Sequence, residues 1–312
     1  MRAFTLDSFD TPPTLREDLP TPELGDDQLL VRVQASAVNP VDAFIAAGFL
    51  KSMAEHDFPV ILGRDYAGVI ERVGAAATGY AVGDEVYGFL THANPTVCDG
   101  AWAELIAVPH NHSVARRPAN IDARQAGAAP LAALTALAAN DALRPGHGTT
   151  VLVVGASGGV GSFAVQLAAH AGATVVAPGL AEDEDYLRGL GIGEVVDRNA
   201  DVVAAVRERH PNGVDALLDL VSSTPNALDA YAAVVRDGGR LVSSVGAAGE
   251  GPGRANVGAV PSPENLDRLA GLLDAGTLSV PVQASYSLAH ADQALKALTG
   301  QHTQGKIAIT LP

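Results

Sequence analysis

With one cysteine, one tryptophan and an aromatic share of 4%, this 312-residue chain has few side chains that could staple or stack a small fold. Because Cys98 stands alone, an internal disulfide and any cysteine-rich zinc module are excluded, and a reducing compartment suits the chain better than secretion. Basic residues are also scarce. Lys plus Arg number 20 against 35 Asp plus Glu, a formal net charge of -15 that opposes non-specific binding to nucleic acid or to an anionic membrane. Long apolar runs are missing as well: the opening "MRAFTLDSFDTPPTL" has no signal-peptide core, and no run elsewhere reaches the roughly 20 residues that cross a bilayer. These absences lead to the expectation of a cytoplasmic chain. What remains is an ordinary globular composition, 47% hydrophobic and 18% charged, at a length that favours about two domains.

From Leu29 to Ala35, "LLVRVQA" alternates with the two-residue period of a half-buried strand, as do "AGVIERV" and "AELIAV", with Gly- and Pro-rich turns between them. Up to His110 the chain therefore reads as β-rich. After Arg117-Pro118 the texture changes: "DARQAGAAPLAALTALAANDAL" reads as helix, joined or kinked at Pro130. Beyond Thr149, "TVLVVGA", "ATVVAPG", "EVVD", "VDALLDLV" and "GRLVSSVG" read as strands separated by helices such as "VGSFAVQLAAHAG" and "ADVVAAVRERH". That succession builds a parallel, doubly wound sheet. "GEGPGRAN" (Gly249 to Asn256) reads as loop, "PENLDRLAGLLDAG" as an amphipathic helix and "GKIAITL" as a closing strand.

The strongest chemical signal is "VLVVGASGGVGSFAVQLA", a strand running into a glycine turn and then a helix. Ala156, Gly158 and Gly161 fit A-x-G-x-x-G there, with Ser157, Gly159 and Val160 between them. Small residues let the backbone approach a pyrophosphate, and the helix N-terminus offers free N–H groups and a partial positive charge. The competing reading is a turn kept for packing alone. At the end of the next strand an acidic residue would bind the ribose 2′-OH of NAD, but Gly179 stands at that position in "VVAPGLAEDED". The missing carboxylate favours NADPH over NADH. Arg188 and Arg198 are the nearest basic candidates for a 2′-phosphate, while Glu182, Asp183, Glu184 and Asp185 read as an acidic first helical turn facing water.

The chain resembles the medium-chain dehydrogenase/reductase superfamily, in particular its zinc-free quinone oxidoreductase, or zeta-crystallin-like, branch. "SAVNPVDAFIAAGF", "LGRDYAGVIERVG", "VGDEVYG", "GAWAELIAVP", "AAPLAALTAL", "VGASGGVGSFAVQLA" and "GKIAITL" follow that family's order over nearly the whole length. The resemblance implies an α/β fold, with a discontinuous GroES-like β-rich catalytic domain (1–121 and 277–312) enclosing a Rossmann domain (122–276). Where zinc alcohol dehydrogenases of the superfamily carry Gly-His-Glu, this chain has Gly63, Arg64 and Asp65, and Asn39 in "AVNPVD" replaces a ligand cysteine. Catalysis without zinc is the implied consequence.

The implied reaction is hydride transfer from reduced nicotinamide to a quinone or to the β-carbon of an α,β-unsaturated carbonyl. Asn39 becomes the candidate polar group near the nicotinamide or the acceptor oxygen, against an Asx-turn before Pro40, and Asp42 in the same loop is a second candidate. For Arg64 and Asp65 two accounts stand: together they form a local ion pair or hydrogen-bond the neighbouring turn, or Arg64 faces the active site. Thr135, Val245, Gly246 and Lys306 match positions near the cofactor; a buried Thr bonding its own helix is the alternative for Thr135, and the role of Lys306 is open. Phe44, Phe49, Leu50, His92 and Trp102 are candidates for an apolar acceptor pocket or plain packing. No tyrosine follows "NPVD", so protonation by solvent is expected. His110 and His112 have metal-like spacing but read as a solvated pair. Two other readings remain open: an enoyl reductase acting on a thioester or biosynthetic intermediate, and a crystallin-like nucleotide-binding protein without turnover. The family resemblance also implies a homodimer.

Overall fold

The structure, a computed structural model, describes residues 1–91, 99–300 and 302–312, so the expectations for His92 and Cys98 fall outside the described residues. The chain divides into two compact units. The first comprises residues 1–131, 261–275 and 280–312, the second residues 132–260 and 276–279. Both expected boundaries shift, because two helices placed with the parallel sheet join the β-rich unit instead. Helix Pro263–Asp274 buries Leu266, Leu269 and Leu273, and is tied to the first unit by the Tyr87 hydroxyl donating to the Leu266 carbonyl (2.6 Å) and by Asn120 Nδ2 donating to the Asp274 carbonyl (2.7 Å). Helix Ala123–Ala128 lies so close to the sheet that a Cβ on Gly127 would come within 2.6 Å of the Ala35 carbonyl oxygen.

The main sheet of the first unit runs Val282–Ser287, Lys306–Thr310, Gln28–Val38, Asp65–Val73, Glu85–Phe89 and Ala115–Arg116, with Leu105–Pro109 also paired to Gln28–Val38. Gln28–Val38 is its axis. One edge of that strand pairs antiparallel with Leu105–Pro109 and then with Lys306–Thr310, and the other with Asp65–Val73. Its sequence alternation holds only where one face meets solvent: Arg32 and Gln34 are exposed between buried neighbours, but Ala35 to Val38 are buried throughout.

Trp102 corrects an expectation. It is fully buried in the hydrophobic core, edge-on to Phe4 at 5.9 Å, with Nε1 donating to the Ala37 carbonyl at 3.1 Å. It therefore lines no acceptor pocket. Its ring also explains the glycine before Arg64: Gly63 has φ +88°, and a Cβ there would lie 2.1 Å from Trp102 Cδ1.

In the second unit six parallel strands run in the order Glu194–Asp197, Thr174–Gly179, Thr150–Val154, Val214–Asp219, Val235–Ser243 and Arg254–Asn256. Counted along the chain from Thr150–Val154, this is the 3-2-1-4-5-6 order of a Rossmann sheet. The segment expected to be loop contributes the edge strand Arg254–Asn256, because Gly253, at φ +74°, turns the chain back against Leu241 to Ser243. Leu152, Val154, Val176, Val196, Leu217 and Leu228 form the core.

Substituting Gly63→Ala forces both a left-handed alanine and a clash with the only tryptophan, and is expected to cost about 3 kcal/mol. Urea denaturation followed by Trp102 fluorescence reports the unit directly, and an unchanged midpoint would contradict this packing.

Candidate active site

Strand Asp65–Val73 opens on Asp65 and is preceded by Arg64, and both side chains are buried in the first unit. Asp65 accepts from Asn39 Nδ2 at 2.9 Å and lies 3.6 Å from the Lys306 ammonium. Lys306 Nζ in turn donates to Asn39 Oδ1 at 2.6 Å. The other Asp65 oxygen accepts the Leu131 N–H at 2.7 Å, in the first turn of helix Pro130–Leu143, where a negative charge is favoured. Next to this triangle, Asp42 accepts the Asn39 N–H at 2.8 Å and stands 4.0 Å from Arg64 Nε. The rest of the Arg64 guanidinium is held by carbonyls, Ile61 O at 2.9 Å and Thr91 O at 3.1 Å. None of the five side chains is more than 3% exposed.

Local sequence explains the assembly. Asn39 precedes Pro40, which opens helix Pro40–Ala46 without needing a hydrogen-bonded N–H, and Asp42 in the first helical turn reaches back to the Asn39 backbone. Gly100 leaves room for Arg64, since a Cβ there would sit 2.7 Å from Nη2. Burial pushes the Asp42 carboxyl up to about 7, with the Arg64 charge pulling the other way. Burial also raises Asp65 and lowers Lys306, each shift being restrained by the other's charge.

Asn39, Asp42 and Arg64 are thus brought together, with Asp65 as their hub. The Asn39 side chain reaches Asp65 and Lys306, a role that neither account from the sequence contained. Arg64 hydrogen-bonds the carbonyls of Ile61 and Thr91, and the carboxylate nearest its Nε is that of Asp42. Lys306, expected near the cofactor, is buried in the first unit, where its ammonium donates to Asn39 and stands beside Asp65. Phe44 and Phe49 are 47% and 68% exposed, with ring centroids 5.9 Å apart, and Leu50 is half-buried. Asp42 and Ile45 take the buried side of helix Pro40–Ala46, which leaves Phe44 outward. His110 and His112 sit at the surface, bonded to the Asp27 carbonyl (2.8 Å) and the Ser113 hydroxyl (2.6 Å). Among the described residues no cluster of three His, Cys, Asp or Glu is placed to hold a metal ion.

The second unit carries the glycine turn. Strand Thr150–Val154 ends at Gly155, at φ +90°, and helix Gly159–His170 starts four residues later with Gly158 as its N-cap. A Cβ on Gly161 would lie 2.1 Å from the Gly155 carbonyl oxygen, so only glycine permits this close passage of helix over strand end. Ala156 is buried, whereas Ser157, Gly158, Gly159 and Val160 are accessible, and the N–H groups of Gly159 to Gly161 have no intrahelical acceptor.

Other candidates gather at the same carboxyl edge of the sheet. Gly179 ends its strand, and a Cβ there would come within 2.7 Å of Leu187 Cδ1, so a larger residue would require the Leu187 side chain to shift. Its carbonyl accepts the Arg198 N–H at 3.0 Å, which places exposed Arg198 beside it. Arg188 is instead paired with Glu184 at 2.8 Å. Val245 is 47% exposed and Gly246, at φ +82°, has open space around it, both just past Val235–Ser243. Thr135 is buried in helix Pro130–Leu143. Sequence reasoning missed Val221, 64% exposed, whose side chain would meet a Cβ on Gly155 at 2.8 Å; its place just after "VDALLDL", at a strand end, was the available signal. It also left Asp65 out of the site, although an acidic residue opening a buried strand must have a partner.

Replacing Lys306→Met leaves the Asp65 carboxylate buried without its cation, and is expected to cost about 3–5 kcal/mol in urea denaturation. The carboxyl of Asp42 gives a pH signature. Between about pH 4 and its folded-state value of about 7 the native chain binds more protons than the unfolded chain, so Asp42 withdraws stability as pH rises through that window. Asp42→Asn removes this effect. Its stability relative to the parent is expected to rise from pH 4 to 7 by a few kcal/mol, on the order of 1.4 per pH unit, and to level off above. Denaturation of both proteins at several pH values checks this, and a constant difference would refute it.

Residues 25–119 match the alcohol dehydrogenase GroES-like domain family, and residues 190–309 the zinc-binding dehydrogenase family. The chain is similar to the chloroplastic quinone-oxidoreductase homolog of Spinacia oleracea, at 28% identity over 94% of this chain and 92% of the spinach protein. It is 34% identical, over 75% of its length, to the chloroplastic NADPH-dependent alkenal/one oxidoreductase of Arabidopsis thaliana, 59% of whose length is covered. Among solved structures, an alcohol dehydrogenase superfamily protein from Novosphingobium aromaticivorans matches with a TM-score of 0.87 and 30% identity, covering 100% of both chains. With a GroES-like β unit, a Rossmann unit and these relatives, the chain belongs to the medium-chain dehydrogenase/reductase superfamily.

Proposed function

We propose that the protein is an NADPH-dependent, metal-independent reductase of quinones or α,β-unsaturated carbonyls. The observation that carries the reading is the turn from Gly155 to Gly161, where a Cβ at Gly161 would collide with backbone and a row of helix N–H groups lies open. Those residues fit a dinucleotide: the N–H groups of Gly159 to Gly161 would hold the pyrophosphate, and Val221, Val245 and Gly246 offer further contacts along the same edge. Arg198 supports NADPH. Its guanidinium is exposed beside the missing carboxylate of Gly179 and has no partner among the described residues, whereas Arg188 is engaged by Glu184 and Asp183 is turned to the Leu180 N–H at 3.0 Å.

When bound, the reduced nicotinamide supplies the hydride. The chain's own contribution is to orient and to exclude water. Phe44 and Phe49 present an aromatic surface suited to a flat, apolar acceptor, and the polar network beneath them fixes the helix that displays Phe44. Since Asn39 already uses one amide hydrogen and its carbonyl oxygen inside that network, the proton that completes the reduction comes from solvent in this reading. Zinc does not fit the network. Both carboxylates are answered by built-in cations, Arg64 and Lys306, and neither cysteine nor histidine joins them among the described residues. The substrates follow the relatives, which carry the names quinone oxidoreductase and alkenal/one oxidoreductase.

Oxidation of NADPH and NADH, measured side by side with a quinone, an enone and a chelator present, tests the reading. Turnover with NADPH is expected to survive chelation, and Arg198→Glu is expected to lower kcat/KM for NADPH roughly 10-fold or more while leaving NADH nearly unchanged. Cofactor binding without oxidation of either acceptor, or activity lost to the chelator, would overturn it.

A further inference from the structure

Strands of the second unit have a second end, and a cavity of about 230 Å³ opens there. It is lined at the amino ends of the parallel strands by Thr149, Val151, Asp215 and Ala216, beside the end of helix Pro130–Leu143. Three arginines line it as well, Arg144, Arg236 and Arg240, in a chain whose net charge is -15. The single lining carboxylate, Asp215, accepts Arg236 Nε at 2.6 Å and the Thr150 N–H at 2.7 Å. Arg240 has one long contact, from Nη1 to the Ala142 carbonyl at 3.5 Å, and the Arg144 side chain has no partner among the described residues. Asp141 and Asp237, the acidic neighbours in sequence, do not line the cavity. Three arginines against one carboxylate leave it with a net positive charge.

Arg144 adds an independent sign. It is the one residue other than glycine with positive φ among the described residues, at +52°, and it closes the helix by donating its N–H to the Asn140 carbonyl. Glycine or asparagine is the usual occupant of such a position. A chain that places arginine there accepts backbone strain to put a guanidinium at the cavity mouth.

We propose that this cavity binds a small multivalent oxyanion, of the class of pyrophosphate esters or polycarboxylates. The site is separate from the cofactor cradle: strands of five or six residues put the two edges of the sheet roughly 15–20 Å apart. Parallel sheets carry their catalytic ligands at the carboxyl edge, so an anion bound at the amino edge occupies a place the reaction does not use.

Calorimetric titration of the full chain, saturated with NADPH and at low ionic strength, is run with inorganic pyrophosphate and, separately, with citrate. Binding of either probe with one site per chain, weakened at least 10-fold in Arg144→Gly combined with Arg240→Gln, supports the proposal, and the tighter probe tells phosphate from carboxylate. Arg144→Gly alone guards against misfolding: it relieves the strained position, so its Tm without anion is expected to equal or exceed that of the parent by roughly 2 °C, while the rise on adding the probe is lost. Equal binding by parent and variants, or no binding of either probe to the NADPH-saturated chain, would overturn the proposal.

Discussion

A carboxylate can be buried only if hydrogen-bond donors or a cation are buried with it, and Asp65 is where this chain meets that constraint. Its partners come from remote parts of the sequence: Asn39 from the first loop, Leu131 from the start of the long helix, and Lys306 from the last strand. The chain leaves the β-rich unit for more than a hundred residues and must return with its final strand in one register. Ile307 stands opposite Val38, and a slip by one residue would send the Lys306 side chain to the other face of the sheet. An apolar cluster of the same volume could be as stable, but it would tolerate that slip far better.

The same network decides what Asn39 can do. With its amide nitrogen on Asp65 and its carbonyl oxygen under Lys306, one hydrogen of the amide is left. Asn39 is therefore a support before it is a reagent. It starts the helix whose buried side carries Asp42 and Ile45 and whose open side carries Phe44. What reaches solvent from this region is aromatic, and what holds it in place is charged and dry.

How far the sequence could be read depended on whether the signal was local. The alternation of strands and helices from Thr149 to Ser243, the glycine turn and the end of the strand at Gly179 rest on neighbours in the chain, and the structure places them as the pattern indicates. Trp102, Lys306 and helix Pro263–Asp274 behaved differently. A lone tryptophan in a turn-rich segment looks the same whether it lines a pocket or fills a core; the choice is made by Gly63, which stands 39 positions earlier and has no side chain to clash with the ring. An amphipathic helix shows that it must pack, not on which unit, and here the Tyr87 hydroxyl selects the partner. The Arg64-Asp65 pair was legible as a question, but its answer needed the partners that only the sheet brings together.

Charge accounting then links the fold to the chemistry. Asp42 and Asp65 would together form an attractive pocket for a divalent ion if they stood alone, but each is met by a fixed cation. The Arg64 guanidinium is anchored by the carbonyls of Ile61 and Thr91, and the Lys306 ammonium by Asn39, so neither cation can swing aside without leaving a carbonyl or an amide oxygen unpaired. A metal ion entering such a site would have to displace a charge already in place and bonded, in exchange for hard oxygen donors that lack its preferred sulfur and imidazole company. In the metal-independent reading proposed above, the positive charge at this position is part of the polypeptide, and it is delivered by folding rather than by loading.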